Sequence, residues 1–277
     1  MRLFLLPLST RRTLLYAKRL DVATAAHERS YVDKGTAWAA KLWASWEKMD
    51  SGWKRKVVDY GNHAFRRIPY EEWGLKSLPP LSTRRRNEEL DRREKVELCY
   101  PSSVIPPHKA EGILKTLATE RQALHRKRLI WCVIGMPITI PCALVPVIPN
   151  LPFFYLVYRA WSHYRAIAGG KHVQWLLENK LLLDSPSKTL DQLYALHAPP
   201  AHEPDNKERT LLTQKEVQTF SESLNMPALE VELERAIWQV EQSLKDPSEQ
   251  SPEKETAAGT TAKPEGSTKP VEDKKEE

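Results

Sequence analysis

The sequence predicts a mainly α-helical membrane protein: a Pro-rich hydrophobic helical hairpin, amphipathic helices on either side of it, and a disordered C-terminal tail. Three observations predict it. Leu129 to Tyr158 is a thirty-residue stretch with no Asp, Glu, Lys, Arg or His, and basic residues flank it on both sides. Elsewhere apolar residues recur at three- and four-residue steps, the period of one helix face. Beyond Pro247 the chain is Pro, Glu, Lys, Thr and Gly without apolar period, a composition that cannot bury a core.

Residues 1–20 are expected to form a basic, import-like segment. It carries Arg2, Arg11, Arg12, Lys18 and Arg19, and no acid precedes Asp21. Leu, Phe and Tyr lie between these charges, which is the Arg-rich, acid-free composition of mitochondrial import segments. A basic amphipathic helix lying on a membrane is the other reading.

Residues 21–128 read as an amphipathic helical region. Trp38, Leu42, Trp46, Met49, Trp53, Val57 and Tyr60 follow one helix face over about six turns. Asp50-Ser51-Gly52 breaks it locally. Such a face either packs against a neighbouring helix or meets a membrane interface, where Trp is enriched. Pro69, Pro79 and Pro80 interrupt the chain around Tyr70-Glu71-Glu72-Trp73, and Ser82–Glu97 mixes both charge signs, as solvated segments do. A second amphipathic helix starts at His108, with Ile113, Leu114, Leu117 and Leu124 on one side, and ends in His125-Arg126-Lys127-Arg128.

Residues 129–168 are the hairpin. Pro137, Pro141, Pro146, Pro149 and Pro152 exclude a straight helix, and Pro146–Pro152 reads as its turn. The arms are then Arg128–Val145 and Phe153–Ala168, with both flanks on the matrix side. A single tilted, kinked span and a buried hairpin of a soluble helical protein are the alternatives. Gly169-Gly170 ends the second arm.

Residues 169–245 form a helical C-terminal region. Val173, Leu176, Leu177 and Leu181 make a short amphipathic helix that Asp184-Ser185-Pro186 breaks. Pro199 to Asn206 is a linker, and Thr213 with Glu216 has capping-box spacing. Leu229, Leu233, Ala236, Val240 and Leu244 mark the last helix. Residues 246–277 are the disordered tail.

Charge narrows the partners. The formal net charge is +6, and Lys245–Glu277 holds six Lys against nine acidic residues, so the rest of the chain is more basic still. A basic body beside an apolar block suits a bilayer of anionic lipids. No stacking motif or zinc-finger spacing supports nucleic acid. A homo-oligomer or an inner-membrane protein complex is the expected protein partner. Cys99, Cys132 and Cys142 form no disulfide framework.

No phosphate-binding glycine loop, HExxH, paired CxxC or nucleophile elbow is present, so the chain is not expected to be an enzyme, and no cofactor or metal site is predicted. A proton-coupled exchanger needs an ionisable group reachable from both sides of the membrane, and the apolar block contains none. The candidate functional or interface residues are Arg159 and His163, nearest the second arm, and Pro146, Pro149 and Asn150 at the turn.

Three segments carry a resemblance. They are MRLFLLPLSTRRTLLY at the N-terminus, YGNHAFRRIPYEEWGLKSLP after the Trp-rich face, and PVIPNLPFFYLVYRAWSHYRA in the centre. Together they resemble the fungal mitochondrial K+/H+ exchange-related protein family over most of residues 1–245, with PNLPFFYLVYRAWSH the most specific run. The resemblance implies a mitochondrial inner-membrane protein linked to potassium–proton exchange and matrix volume control, with the import-like segment of residues 1–20 retained, and it carries no catalytic residues. It leaves two expectations: a subunit or regulator of the exchange system, or a membrane-anchored structural or assembly factor without transport activity.

Overall fold

A computed structural model describes residues 1–18, 41–83, 86–87, 90, 96–141, 150–195 and 208–245. Trp38, Arg84, Arg85, Cys142, Pro146, Pro149, the 199–206 linker and the 246–277 tail therefore lie outside the described residues.

The architecture is mixed α/β, which corrects the mainly α expectation. Strands β1 (Arg2–Pro7), β2 (Thr13–Lys18), β3 (Val96–Tyr100) and β4 (Leu182–Pro186) form one sheet in the order β2-β1-β3-β4. β1 pairs antiparallel with β2 and parallel with β3, and β3 pairs parallel with β4. The segment expected to be import-like is thus the sheet's hairpin. Arg11 and Arg12 lie in its connection, where charge reaches solvent, while five of the six β1 residues are buried.

Helices cover both faces of the sheet, and strand alternation decides which residue meets which helix. On one face Leu3, Leu5, Leu15, Leu98 and Tyr100 pack with α2 (Tyr70–Ser77), α3 (Pro107–Thr119) and α5 (Leu151–Glu178). On the other, Phe4, Leu6, Leu14 and Cys99 pack with α6 (Lys188–Ala195), α7 (Val217–Ser223) and α8 (Pro227–Lys245). Each face has its own apolar cluster. Leu229, Leu233, Ala236 and Val240 of α8 are all buried, and Thr213 with Glu216 forms the capping box that their spacing announced.

The Trp-rich face is split. Residues 41–47 are helical, the chain turns through Gly52 at φ 108°, and α1 (Trp53–Arg66) begins afresh. That backbone angle suits glycine alone. Leu42, Met49, Trp53 and Tyr60 stay exposed instead of entering the core.

α4 (Gln122–Thr139) and α5 run antiparallel. The Asn150 side chain donates to the Thr139 carbonyl at 2.8 Å, Gly135 faces Leu156, and His125 meets His163. No helix among the described residues is long and apolar enough to cross a membrane, which corrects the expected transmembrane segment. The uncharged stretch is divided between two helices: α4 ends at Thr139, and α5 soon reaches Arg159, His163, Arg165 and Lys171. The end of this pair nevertheless exposes Ile130, Trp131, Ile134, Ile138 (72%), Phe154 and Tyr155.

Gly169-Gly170 does not end the second arm, as expected from sequence; α5 continues through both. A Cβ on Gly169 would lie 2.0 Å from the Leu75 carbonyl oxygen, and one on Gly170 would lie 2.6 Å from that of Ala118. The two glycines let α5 press directly on the backbones of α2 and α3. Asp184-Ser185-Pro186, expected to be a break, is instead most of β4. Its ladder with β3 supplies hydrogen bonds that composition alone does not suggest.

Candidate functional site

The site begins with one carboxylate. Pro69 precedes α2 and fixes its start, which places Glu71 and Glu72 in the first turn, where the helix dipole favours negative charge. Glu71 faces outward to Arg121 at 2.9 Å. Glu72 faces α5 and is 0% exposed.

A buried carboxylate needs partners, and α5 supplies them. Arg159, Ser162 and His163 sit at three- and four-residue spacing, hence on one helix face. The Arg159 guanidinium donates to both Glu72 oxygens, at 2.9 and 3.2 Å, and the Ser162 hydroxyl donates to the first of them. This fork geometry is the strongest form of such a pair. Burial alone would raise the Glu72 pKa; Arg159 and Ser162 outweigh it and hold the group below the ordinary glutamate range.

α4 adds His125. Its Nδ1 lies 3.1 Å from His163 Nδ1, and Glu72 Oε2 is 4.0 and 3.7 Å from these two nitrogens. Hydrogen positions follow from donor capacity. Arg159 Nη2, which can only donate, is 3.1 Å from His163 Nε2, so Nε2 accepts. His163 then carries its proton on Nδ1 and donates it to His125 Nδ1. The remaining proton of His125 is on Nε2, which is buried with no hydrogen-bond partner among the described residues. Burial, with the arginines adding to it and Glu72 opposing, lowers both imidazoles to about 4. Both rings are therefore neutral near pH 7 and do not titrate there.

Three ligand atoms of Glu72, His125 and His163 lie within 4.8 Å of one another, close enough to share a metal ion. The donor types suit zinc. The electrostatics do not: Arg159 already occupies both carboxylate oxygens, and a dication would sit against its guanidinium. The cluster therefore reads as a clamp joining α2, α4 and α5.

Beside it lies a second buried cation. Lys76, one turn after Glu72, places its Nζ 3.4 Å from the centre of the Trp73 ring and 3.3 Å from the Tyr158 hydroxyl. Burial, opposed by Glu72, lowers its pKa to about 7. Arg235 of α8 also stacks on Trp73, at 4.3 Å.

The structure brings together Arg159 and His163, both expected from sequence, but buries them rather than leaving them at an interface. Asn150 is separate from them. Its side chain accepts from the Phe153 N–H at 3.1 Å, capping α5, and donates to Thr139. Glu72, His125 and Lys76 were missed. The available signal was Arg159-x-x-Ser162-His163, a polar face inside an apolar helix, which must meet polar groups elsewhere.

A sequence model of the family described as mitochondrial K+-H+ exchange-related matches residues 2–177. That span includes every residue of the clamp. An uncharacterized protein of Saccharomyces cerevisiae is 28% identical over 199 residues, covering 63% of this chain and 62% of that protein. An uncharacterized protein of Schizosaccharomyces pombe is 35% identical over 179 residues, covering 61% and 72% respectively. No solved structure matches the chain. The match over residues 2–177, most of the chain, establishes that the chain belongs to the mitochondrial K+-H+ exchange-related family.

Proposed function

We propose that this protein acts in potassium–proton exchange at the mitochondrial inner membrane, as a subunit or regulator of the exchange system, and so in cation and volume homeostasis. The observation that carries this reading is the family match over residues 2–177. The α4–α5 end supports the membrane part: Ile130, Trp131, Ile138 and Phe154 are exposed there, with Arg126 and Lys127 exposed behind them. Apolar side chains ahead of a basic border suit contact with a surface of anionic lipids. The two imidazoles, lowered to about 4, stay neutral near pH 7, so the histidine pair itself is not a titrating carrier group there.

Potassium-acetate swelling of isolated mitochondria tests the role. Mitochondria lacking the protein should swell abnormally, and the intact chain should restore control. Normal swelling without the protein would overturn the proposal. Potassium-loaded vesicles containing purified protein and a pH dye separate the two versions. Potassium-dependent proton flux above empty vesicles means a carrier subunit, and its absence leaves the regulator. The exposed apolar end equally favours a second reading, a membrane-anchored assembly factor without transport activity. That reading expects unchanged swelling but loss of a partner complex.

A further inference from the structure

We infer that an arginine-lined pocket at the base of the α4–α5 pair is a binding site for a phosphate-bearing ligand. The pocket has a volume of about 450 Å3 and is lined by Arg12, Arg67, Arg121, Arg128 and Arg159, with Glu71 the acid among its lining residues. These arginines arrive from distant parts of the chain: the β1–β2 connection, the end of α1, the start and middle of α4, and α5. Tertiary structure has gathered like charges that sequence kept apart.

Gathering them is unfavourable without a counter-charge. Glu208 holds Arg12 at 3.1 Å, Glu71 holds Arg121 at 2.9 Å, and Glu72 takes Arg159 from behind the wall. Arg67 is exposed at the rim. Arg128 is pushed below the ordinary arginine range by burial first and Arg159 next, against an opposing pull from Glu72. With five arginines and one glutamate among its lining residues, the pocket is rich in guanidinium groups. Their planar forks match phosphate oxygens, and charge-assisted contacts of this kind are the strong ones. The volume falls within the usual range for small-molecule sites, roughly 300–1,000 Å3, and exceeds what one bare phosphate fills.

Two sources share this chemistry: a phospholipid headgroup, and a soluble phosphate or diphosphate compound. Tyr155 lines the pocket and is itself part of the exposed apolar end of the hairpin, so a lipid seated there would lay its acyl chains along α4 and α5. The inference goes beyond the exchange role, and its readout is binding rather than flux.

The test uses the full chain as four proteins: wild type, Arg67→Ala alone, Arg67→Ala/Arg128→Ala, and Lys109→Ala/Lys171→Ala, the last removing the same charge as the double arginine variant but outside the pocket. Calorimetry with pyrophosphate covers the soluble source. Co-sedimentation with phosphatidylcholine vesicles, with and without cardiolipin, covers the lipid source. Wild type and the lysine variant should bind alike, and the arginine variant about tenfold or more weakly. Pocket-dependent binding of pyrophosphate assigns a soluble ligand, and pocket-dependent binding of cardiolipin vesicles alone assigns a headgroup. Arg67→Ala alone, at the exposed rim, should show a smaller loss in the same direction and guards against a folding defect at Arg128. Binding to neither probe, or equal loss in the arginine and lysine variants, would overturn the inference.

Discussion

Arg159→Met removes the guanidinium that holds Glu72 while keeping much of the side-chain volume. Glu72 is 0% exposed, so water cannot replace the lost partner; Ser162 still donates to it, with two neutral imidazoles and the buried Lys76 close by. Breaking a buried pair by removing one member costs about 3–5 kcal/mol, a large share of the roughly 5–15 kcal/mol that holds a domain together. With a urea m-value of about 3 kcal/mol/M, the unfolding midpoint should fall by about 1–2 M. Tryptophan fluorescence and circular dichroism at pH 7.5 would read it. Glu72→Gln/Arg159→Met should recover more than half the loss, because the uncompensated charge is gone. The sign of the pH dependence is fixed. The Glu72 pKa is lowered in the fold, so the pair's contribution is present above the ordinary glutamate pKa and fades as pH falls through the folded value. The penalty of Arg159→Met should therefore shrink in acid. A loss below about 1 kcal/mol, or no rescue by Glu72→Gln, would refute the clamp.

Two further outcomes follow from the same structure. His125 and His163 are lowered to about 4 in the fold, against about 6.5 unfolded, so their contribution is complete above pH 6.5 and lost as pH falls toward 4. The unfolding free energy from urea titrations across that window should decline by up to about 1.4 kcal/mol per pH unit for each ring, and His125→Leu/His163→Leu should flatten the slope; an unchanged slope would contradict burial of neutral rings. Gly169→Ala should destabilise by about 1–3 kcal/mol, because its Cβ would lie 2.0 Å from the Leu75 carbonyl oxygen, whereas Gly112→Ala, with nothing within 4 Å, should stabilise by about 0.5–1 kcal/mol. Thermal melts that moved both variants the same way would sink the close-contact account of α5.

Much of the helical layer was legible because its faces are one-sided. Leu229, Leu233, Ala236 and Val240 are apolar against solvent-facing neighbours, and they bury together. The sheet was not legible, for the opposite reason. β1 is covered on both faces, so RLFLLP shows a continuous apolar run instead of alternation, and its charges fall at the strand end and connection. β4, LLDSP, has no strand composition; its place comes from β3 beside it. For the site, Arg159 and His163 stood out as charges next to an apolar run. Glu72 sat eighty-seven residues from Arg159 among ordinary proline punctuation, and only the packing of α2 on α5 joins them.

The central position of β1 has a consequence for how the chain reaches its fold. β1 pairs readily with the nearby β2, but its other edge waits for β3, where Arg2 meets Glu97. One of its two apolar faces waits longer still, for Leu229 to Val240. Through most of synthesis, then, a hydrophobic strand with an open edge is the most mature part of the molecule. Such an edge invites pairing with other chains. A chaperone that recognises short apolar segments would find a substrate in β1 until that edge and face are covered, because β1 lies inside the sheet order rather than at its edge.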